Sequence, residues 1–127
     1  MNDIRVLIQS KLNEIEGVDC GVPVPDSIVE NGKTYFGYEL QEVYVSGDCD
    51  SNYVMRIHLT GRIVRRDNAE EDTLFIIDEA LSKIKQKLKE LNFSYGYRDI
   101  SLDNGIRKME VSGEALYNEL NIKTESA

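Results

Sequence analysis

The chain has no tryptophan, two prolines, two cysteines and one histidine among its 127 residues. Each scarcity closes a route. Cys20, Cys49 and His58 supply three soft ligands at most and lack the paired spacing of a structural zinc site, so no metal is expected. The cysteines can pair only if the fold brings their Cα atoms within about 7 Å, and free thiols are expected in a reducing compartment. No apolar run approaches the roughly 18 residues of a membrane-spanning helix, so no membrane partner is expected. The start, Met1-Asn2-Asp3-Ile4-Arg5, has no basic leader followed by an apolar block, which points to a cytoplasmic home. No glycine-rich phosphate loop, nucleophile elbow or paired-carboxylate motif occurs, and Asp78 and Glu79 read as helix-surface acids. The expectation is a protein that is not an enzyme, with no catalytic residue and no cofactor.

What is present begins with a hydrophobic share of 41%, typical of globular proteins, and a net charge of −8 that is unevenly spread. Residues 1–50 hold ten acids against three bases. Such a surface repels nucleic acid or suits a conduit through which it slides unheld. Against this background Tyr53 to Arg66 carries Arg56, Arg62, Arg65 and Arg66 and no acid. It also alternates: Tyr53, Met55, Ile57, Leu59, Gly61 and Ile63 share one parity, and Val54, Arg56, His58, Thr60, Arg62 and Val64 the other. That is a strand with one face in the core. Same-face residues two apart lie about 7 Å apart, a ladder suited to carboxylates of a neighbouring subunit. The plainer reading is the solvated outer face of an antiparallel strand. His58 sits on that polar face and reads as an exposed strand histidine, since a general base needs a pocket and an orienting group.

The remaining elements follow from periodicity. Ile4, Leu7, Ile8, Leu12 and Ile15 predict a helix from about Asn2 to Glu16, closed by Gly17. Val18 to Asn31, with Gly21, Pro23 and Pro25, predicts an extended loop or short edge strand. Thr34 to Val45 predicts a strand with Phe36, Tyr38 and Leu40 facing the core, joined through a polar turn at Ser46 to Asn52 to the arginine strand. Asp48, Asp50 and Asn52 copy the opening of a calcium loop, but Tyr53 stands where glycine is needed and Leu59 where the bidentate glutamate belongs, so a polar hairpin tip is expected. Asp67 or Asn68 should cap a long helix, with Asn68 and Glu71 spaced as a capping box. Leu74, Ile77, Leu81, Ile84, Leu88 and Leu91 form its apolar seam. Asn104-Gly105 predicts a two-residue hairpin turn that sets Ile100 opposite Met109 and Arg98 opposite Val111. Leu116 and Leu120 prolong the last strand or add a helical turn. The expected fold is α+β: an antiparallel sheet of about four or five strands with two helices on one face, one domain over residues 1–120 and a frayed polar tail over 121–127.

This order, an amino-terminal helix, a Pro-containing approach, a long hairpin whose second strand runs Tyr53-Val-Met-Arg-Ile-His-Leu-Thr-Gly-Arg-Ile-Val64 into an acid-capped helix, and a final hairpin entering Met109-Glu-Val-Ser-Gly-Glu-Ala-Leu-Tyr117, resembles the tail-terminator and tail-completion proteins of long-tailed bacteriophages and prophages. The likeness covers nearly the whole chain and rests on element order, size and the strand-then-helix pattern. Members of that group form rings, commonly hexamers, that cap the tail tube and join it to the head, with DNA passing through the channel. The resemblance implies a structural virion protein, assembled in the host bacterial cytoplasm. Its partners would be further copies of itself, the tail-tube protein and a head-completion protein, and DNA would pass without specific binding. In that setting an acidic loop carrying Asp48 and Asp50 fits a channel lining, and the arginine strand fits a subunit or tube contact. A closed ring needs two different complementary patches on one chain, and the basic strand and acidic amino-terminal half supply them. A small intracellular protein-binding adaptor or regulatory domain is the alternative reading.

Overall fold

The computed structural model describes residues 2–46, 53–97 and 101–120. Their elements run α1 (Asn2–Leu12), β1 (Val18–Gly21), a 3-10 turn (Asp26–Ile28), β2 (Thr34–Ser46), β3 (Tyr53–Arg66), α2 (Thr73–Glu90), β4 (Ser94–Tyr97), β5 (Ser101–Asp103), β6 (Ile106–Leu116) and a second 3-10 turn (Tyr117–Glu119). The class is the expected α+β, but the sheet has six strands instead of four or five, in the order β1-β2-β3-β6-β4 with β5 also on β6. Two sources account for the surplus. The stretch Val18–Gly21 pairs with β2 as a short parallel edge, and the strand before Asn104 divides into β4 and β5.

Strict alternation along β3 governs the core. Ile57, Leu59 and Ile63 are fully buried on one face, joined by Phe36 and Leu40 of β2 and by Met109 and Val111 of β6. Both helices cover this face, α1 through Ile8 and Leu12 and α2 through Ile77, Ala80, Leu81, Ile84 and Leu88. Leu74, placed in the seam by its spacing, is 47% exposed because Thr73 occupies the buried position one turn before Ile77 and leaves Leu74 at the side of the helix. Gln9 fastens α1 to the sheet edge: the Tyr38 hydroxyl donates to its Oε1, and its Nε2 donates to the Cys20 carbonyl at 2.8 Å. Cys20 itself is a buried free thiol whose pKa burial pushes up to about 11, which removes thiolate reactivity at neutral pH.

Two boundaries differ from expectation for local reasons. Helix α1 ends at Leu12, after which Asn13 to Gly17 make turns that close at Gly17, φ 81°. Helix α2 begins at Thr73, capped by Asp72, whose Oδ1 accepts from Phe75 N–H at 3.1 Å. Asn68 instead turns the preceding loop, its Oδ1 accepting from Glu70 N–H, and Glu71 is drawn to Arg65. At the far end of α2, Asn92 adopts φ 70° while Phe93 N–H reaches Leu88 O and Asn92 N–H reaches Lys89 O, a Schellman stop.

The Asn104-Gly105 turn forms as expected, with φ 55° and 73° and Asp103 opposite Ile106. The register does not carry through: Tyr97, not Arg98, stands opposite Val111, one residue out of step with β5. A uniform two-residue count from the turn cannot anticipate that offset between β4 and β5. Ile100 and Arg98 lie outside the described residues, as do the 47–52 tip with Asp48, Cys49 and Asp50, and the 121–127 tail.

On the opposite face, the segment from Val22 to Lys33 crosses the upper end of the sheet. It seals a second, smaller core of Val29, Tyr35, Val64 and Ile106, with Val24 against it. Gly37 permits the crossing, since a Cβ there would fall 2.5 Å from Pro23 Cα. Below this crossing the face is bare. Gly61, on the core side, is equally constrained: a Cβ would meet Gly37 O at 2.7 Å and Tyr38 Cβ at 2.8 Å. Gly61→Ala is therefore expected to destabilise the fold by about 1–3 kcal/mol, read as a lower denaturant midpoint at unchanged m-value.

Candidate assembly surface

The strand ladders place the polar parity of β3 in rows that run across the bare face. Gln41, His58, Glu114 and Ser94 form one row, Glu39, Thr60, Ser112 and Gly96 the next, and Gly37, Arg62 and Glu110 the third. Small side chains in the middle row, flanked by charged ones, shape a shallow trough of about 820 Å³ that reaches up to Asp26 and Lys108. It is open and carries alternating charge.

The arginines divide between two tasks. Arg56 hydrogen-bonds Glu114, whose other oxygen lies 3.2 Å from His58 Nε2 but out of line for a hydrogen bond. Arg62 lies 3.7 Å from Glu110, with both side chains about half exposed. The carboxylates sought in another subunit are thus supplied first by β6 of the same chain, while Arg56 and Arg62 remain accessible on the bare face. Arg65 and Arg66 do not join them. Arg65 belongs to the core parity and is 6% exposed, donating to Thr34 Oγ1 at 2.7 Å and to Glu71 Oε2 at 2.9 Å. Arg66 donates from Nε to Val29 O and from Nη2 to Asp26 O, strapping the crossing loop to the sheet. Arg65 is an internal strut and the half-buried Arg66 is committed to the crossing loop, a correction to the four-arginine surface stripe. Period two had already assigned Arg65 to the inner face.

Glu110 and Glu114 escaped the sequence reading although a signal existed: Glu110, Ser112 and Glu114 alternate with Met109, Val111, Gly113 and Ala115. A second charged node closes the upper end of the face. Lys108 Nζ lies 3.0 Å from Asp26 and 3.3 Å from Asp103. The ammonium holds the Asp26 carboxyl below its usual range, and the hydrogen bond to Asp26 raises the Lys108 pKa. Arg107 likewise lowers Asp67 across 3.0 Å.

The long hairpin overhangs this surface. β6 follows β3 only as far as Arg56, opposite Leu116, whereas β2 continues to pair with β3 through Tyr44–Met55, Val45–Val54 and Ser46–Tyr53. A two-stranded ribbon therefore projects beyond the sheet toward the acidic tip sequence. Among the described residues no group of three or more His, Cys, Asp or Glu side chains has the arrangement of a metal site.

No family model matches the chain, and no curated protein matches it.

Two outcomes follow from the unequal arginines and the lysine node. Arg65→Ala strands Glu71, which is 30% exposed and so partly relieved by solvent, and is expected to cost about 3 kcal/mol. Arg62→Ala removes an exposed pair and should cost about 0–1 kcal/mol; chemical denaturation of both variants checks the contrast. For Asp26 the folded pKa lies below the ordinary 3.8, so its contribution is present above that pH and is lost as pH falls through the lower folded value. Asp26→Asn is expected to flatten the acid limb of Tm against pH below about 4, and an acid limb identical to the parent's would contradict the Asp26–Lys108 coupling.

Proposed function

We propose that this chain is a structural ring subunit that caps a bacteriophage or prophage tail tube and joins tail to head. The observation that carries the reading is the overhanging β2–β3 ribbon. Met55 at its base still packs against the main core, but a two-stranded extension is marginal beyond that support and gains stability by lying against another protein. The bare lower face of the sheet supports the same reading. It is broad, open and studded with Arg56, Arg62, Glu110 and Glu114, which suits charge-matched contact with an ordered protein surface more than enclosure of a small substrate.

In the ring, the acidic sequence between β2 and β3, which includes Asp48 and Asp50, contributes charge that repels the DNA backbone and lets it pass unheld. Arg56 and Arg62 face the tube or a neighbouring subunit, exchanging part of their bond to Glu114 and Glu110 for carboxylates across the contact. The partners are further copies of the chain, the tail-tube protein and a head-completion protein, met in the bacterial cytoplasm and retained in the virion. The reading assigns no catalysis and no cofactor.

Light scattering and negative-stain microscopy, with the chain alone and mixed with tail tubes from the same genomic neighbourhood, test this. Rings, free or seated on tube ends, are the expected outcome. A monomer at all protein and salt concentrations that also ignores tubes would sink it, and one-to-one capture of another protein by that monomer would establish the adaptor reading in its place.

A further inference from the structure

We infer that copies of this chain join head to tail through the two open edges of the sheet, with Glu42 and Tyr44 on the outer side of β2 pairing antiparallel with Tyr97 and Tyr95 on the outer side of β4. This rests on the ring reading above and names the subunit contact that such a ring requires.

The direction of every backbone group along these edges follows from two hydrogen bonds. Asp67 N–H donates to Gly105 O at the end of the β3–β6 ladder, so odd-numbered residues of β3 point their N–H and C=O at β6 and even-numbered ones at β2. Through the β2–β3 register, odd residues of β2 bond inward and even residues point outward, which agrees with Arg5 donating to the outward Leu40 carbonyl at 3.1 Å. The short β1 covers β2 only from Thr34 to Gly37. With Leu40 O taken by Arg5, Glu42 and Tyr44 remain as outward residues of the lower edge. The same counting on β4, where Ser94 and Gly96 bond to β6, leaves Tyr95 and Tyr97 pointing outward. The β2 edge therefore offers Glu42, Tyr44 and the terminal Ser46, and the β4 edge Tyr95 and Tyr97.

Orientation, facing and charge all select the same match. The order β2-β3-β6-β4 is antiparallel at every step, so the two open edges run in opposite directions. Because Tyr97 shares a row with Val111, Gly61 and Tyr38, pairing it with Glu42 staggers the copies by four residues, roughly 13 Å, so β4 of one lies antiparallel beside β2 of the next in a ring whose strands tilt against its axis, a heterologous contact that closes. Glu42 and Tyr44 share the helix-side parity of Phe36 and Leu40, and Tyr95 and Tyr97 share that of Val111 and Gly113. Setting Glu42 opposite Tyr97 and Tyr44 opposite Tyr95 thus continues the helix side into the helix side. Lys85 of α2 stands over the rings of Tyr97 and Tyr95 at 4.3 and 5.7 Å, so this register brings its ammonium beside the neighbour's Glu42. The sequence of β2 contains two glutamates and no lysine or arginine, and that of β4 contains no acid. Tyr44, Tyr95 and Tyr97 are 64%, 44% and 55% exposed, apolar surface that the contact would cover. The β2 edge carries none of the lysines or prolines that blunt unpaired strands.

Directly opposed residues in such a pair have Cα atoms about 5.5 Å apart, within disulfide range. In a Cys49→Ser background that keeps buried Cys20, the double variant Tyr44→Cys, Tyr95→Cys is expected to give, on mild oxidation, a ladder of covalent multimers beyond the dimer on a non-reducing gel. Either single variant should stay monomeric. A covalent dimer from Tyr44→Cys alone would mean that β2 pairs with itself and would overturn the proposal. Rings seen by light scattering with no ladder would overturn this contact and leave the ring reading standing, whereas neither rings nor ladder would remove both. Glu42→Pro provides a second arm, because it deletes only an outward N–H. It should weaken association about tenfold or more with the circular dichroism spectrum retained, and unchanged association would overturn the pairing.

Discussion

The structure depends on the period-two alternation of β3, paired on both sides from Arg56 to Arg65. A slip of one residue would carry Ile57, Leu59 and Ile63 to the bare face and Arg56, His58 and Arg62 into the core, so the register has no near competitor. Other decisions hang from it. It sets which residues of β2 and β6 meet the helices, points Arg65 inward toward Glu71, and leaves a charged surface on the far side.

That dependence explains what was legible in the sequence. The β3 alternation, the core parity of β2, the seam of α2, the Asn104-Gly105 turn and the α+β class all arise from local periodicity and turn chemistry. They were readable because neighbouring residues encode them. Apart from the helix ends, which local turns decide, the losses were mostly interactions beyond the local sequence. The short edge strand allowed for after Val18 does form, at Val18–Gly21, but its parallel pairing with β2 was not encoded locally. Glu71 left the helix start for Arg65, and Arg66 turned to the carbonyls of Asp26 and Val29, forty and thirty-seven positions away. The expected opposition of Arg98 and Val111 failed through a one-residue offset that no composition rule announces.

The surface tells the same story. Parity alone marked Arg56 and Arg62 as outward-facing, and so they are. Parity also separated them from Arg65, though four arginines close in sequence invited treatment as one patch. Their carboxylate partners on β6 were invisible until the fold brought residue 114 beside residue 56. In-chain pairing does not discharge the face; it converts a positive stripe into a patterned mosaic, which discriminates among partners by register as well as by sign.

The ribbon that overhangs the sheet also has a mechanical meaning. Its inner strand is β3, which continues without a break into Arg65 and Arg66, the residues that grip Glu71 and the crossing loop. Antiparallel hydrogen bonds lie perpendicular to the strands. A pull on the ribbon along its own axis therefore loads the bonds to β2 and β6 together in shear, instead of peeling them one after another. A load from the side meets less sharing, because beyond Arg56 only β2 continues the strand's ladder. The subunit is stiff along the strands and compliant across them, so tension is best borne where the ribbon lies parallel to the direction of force.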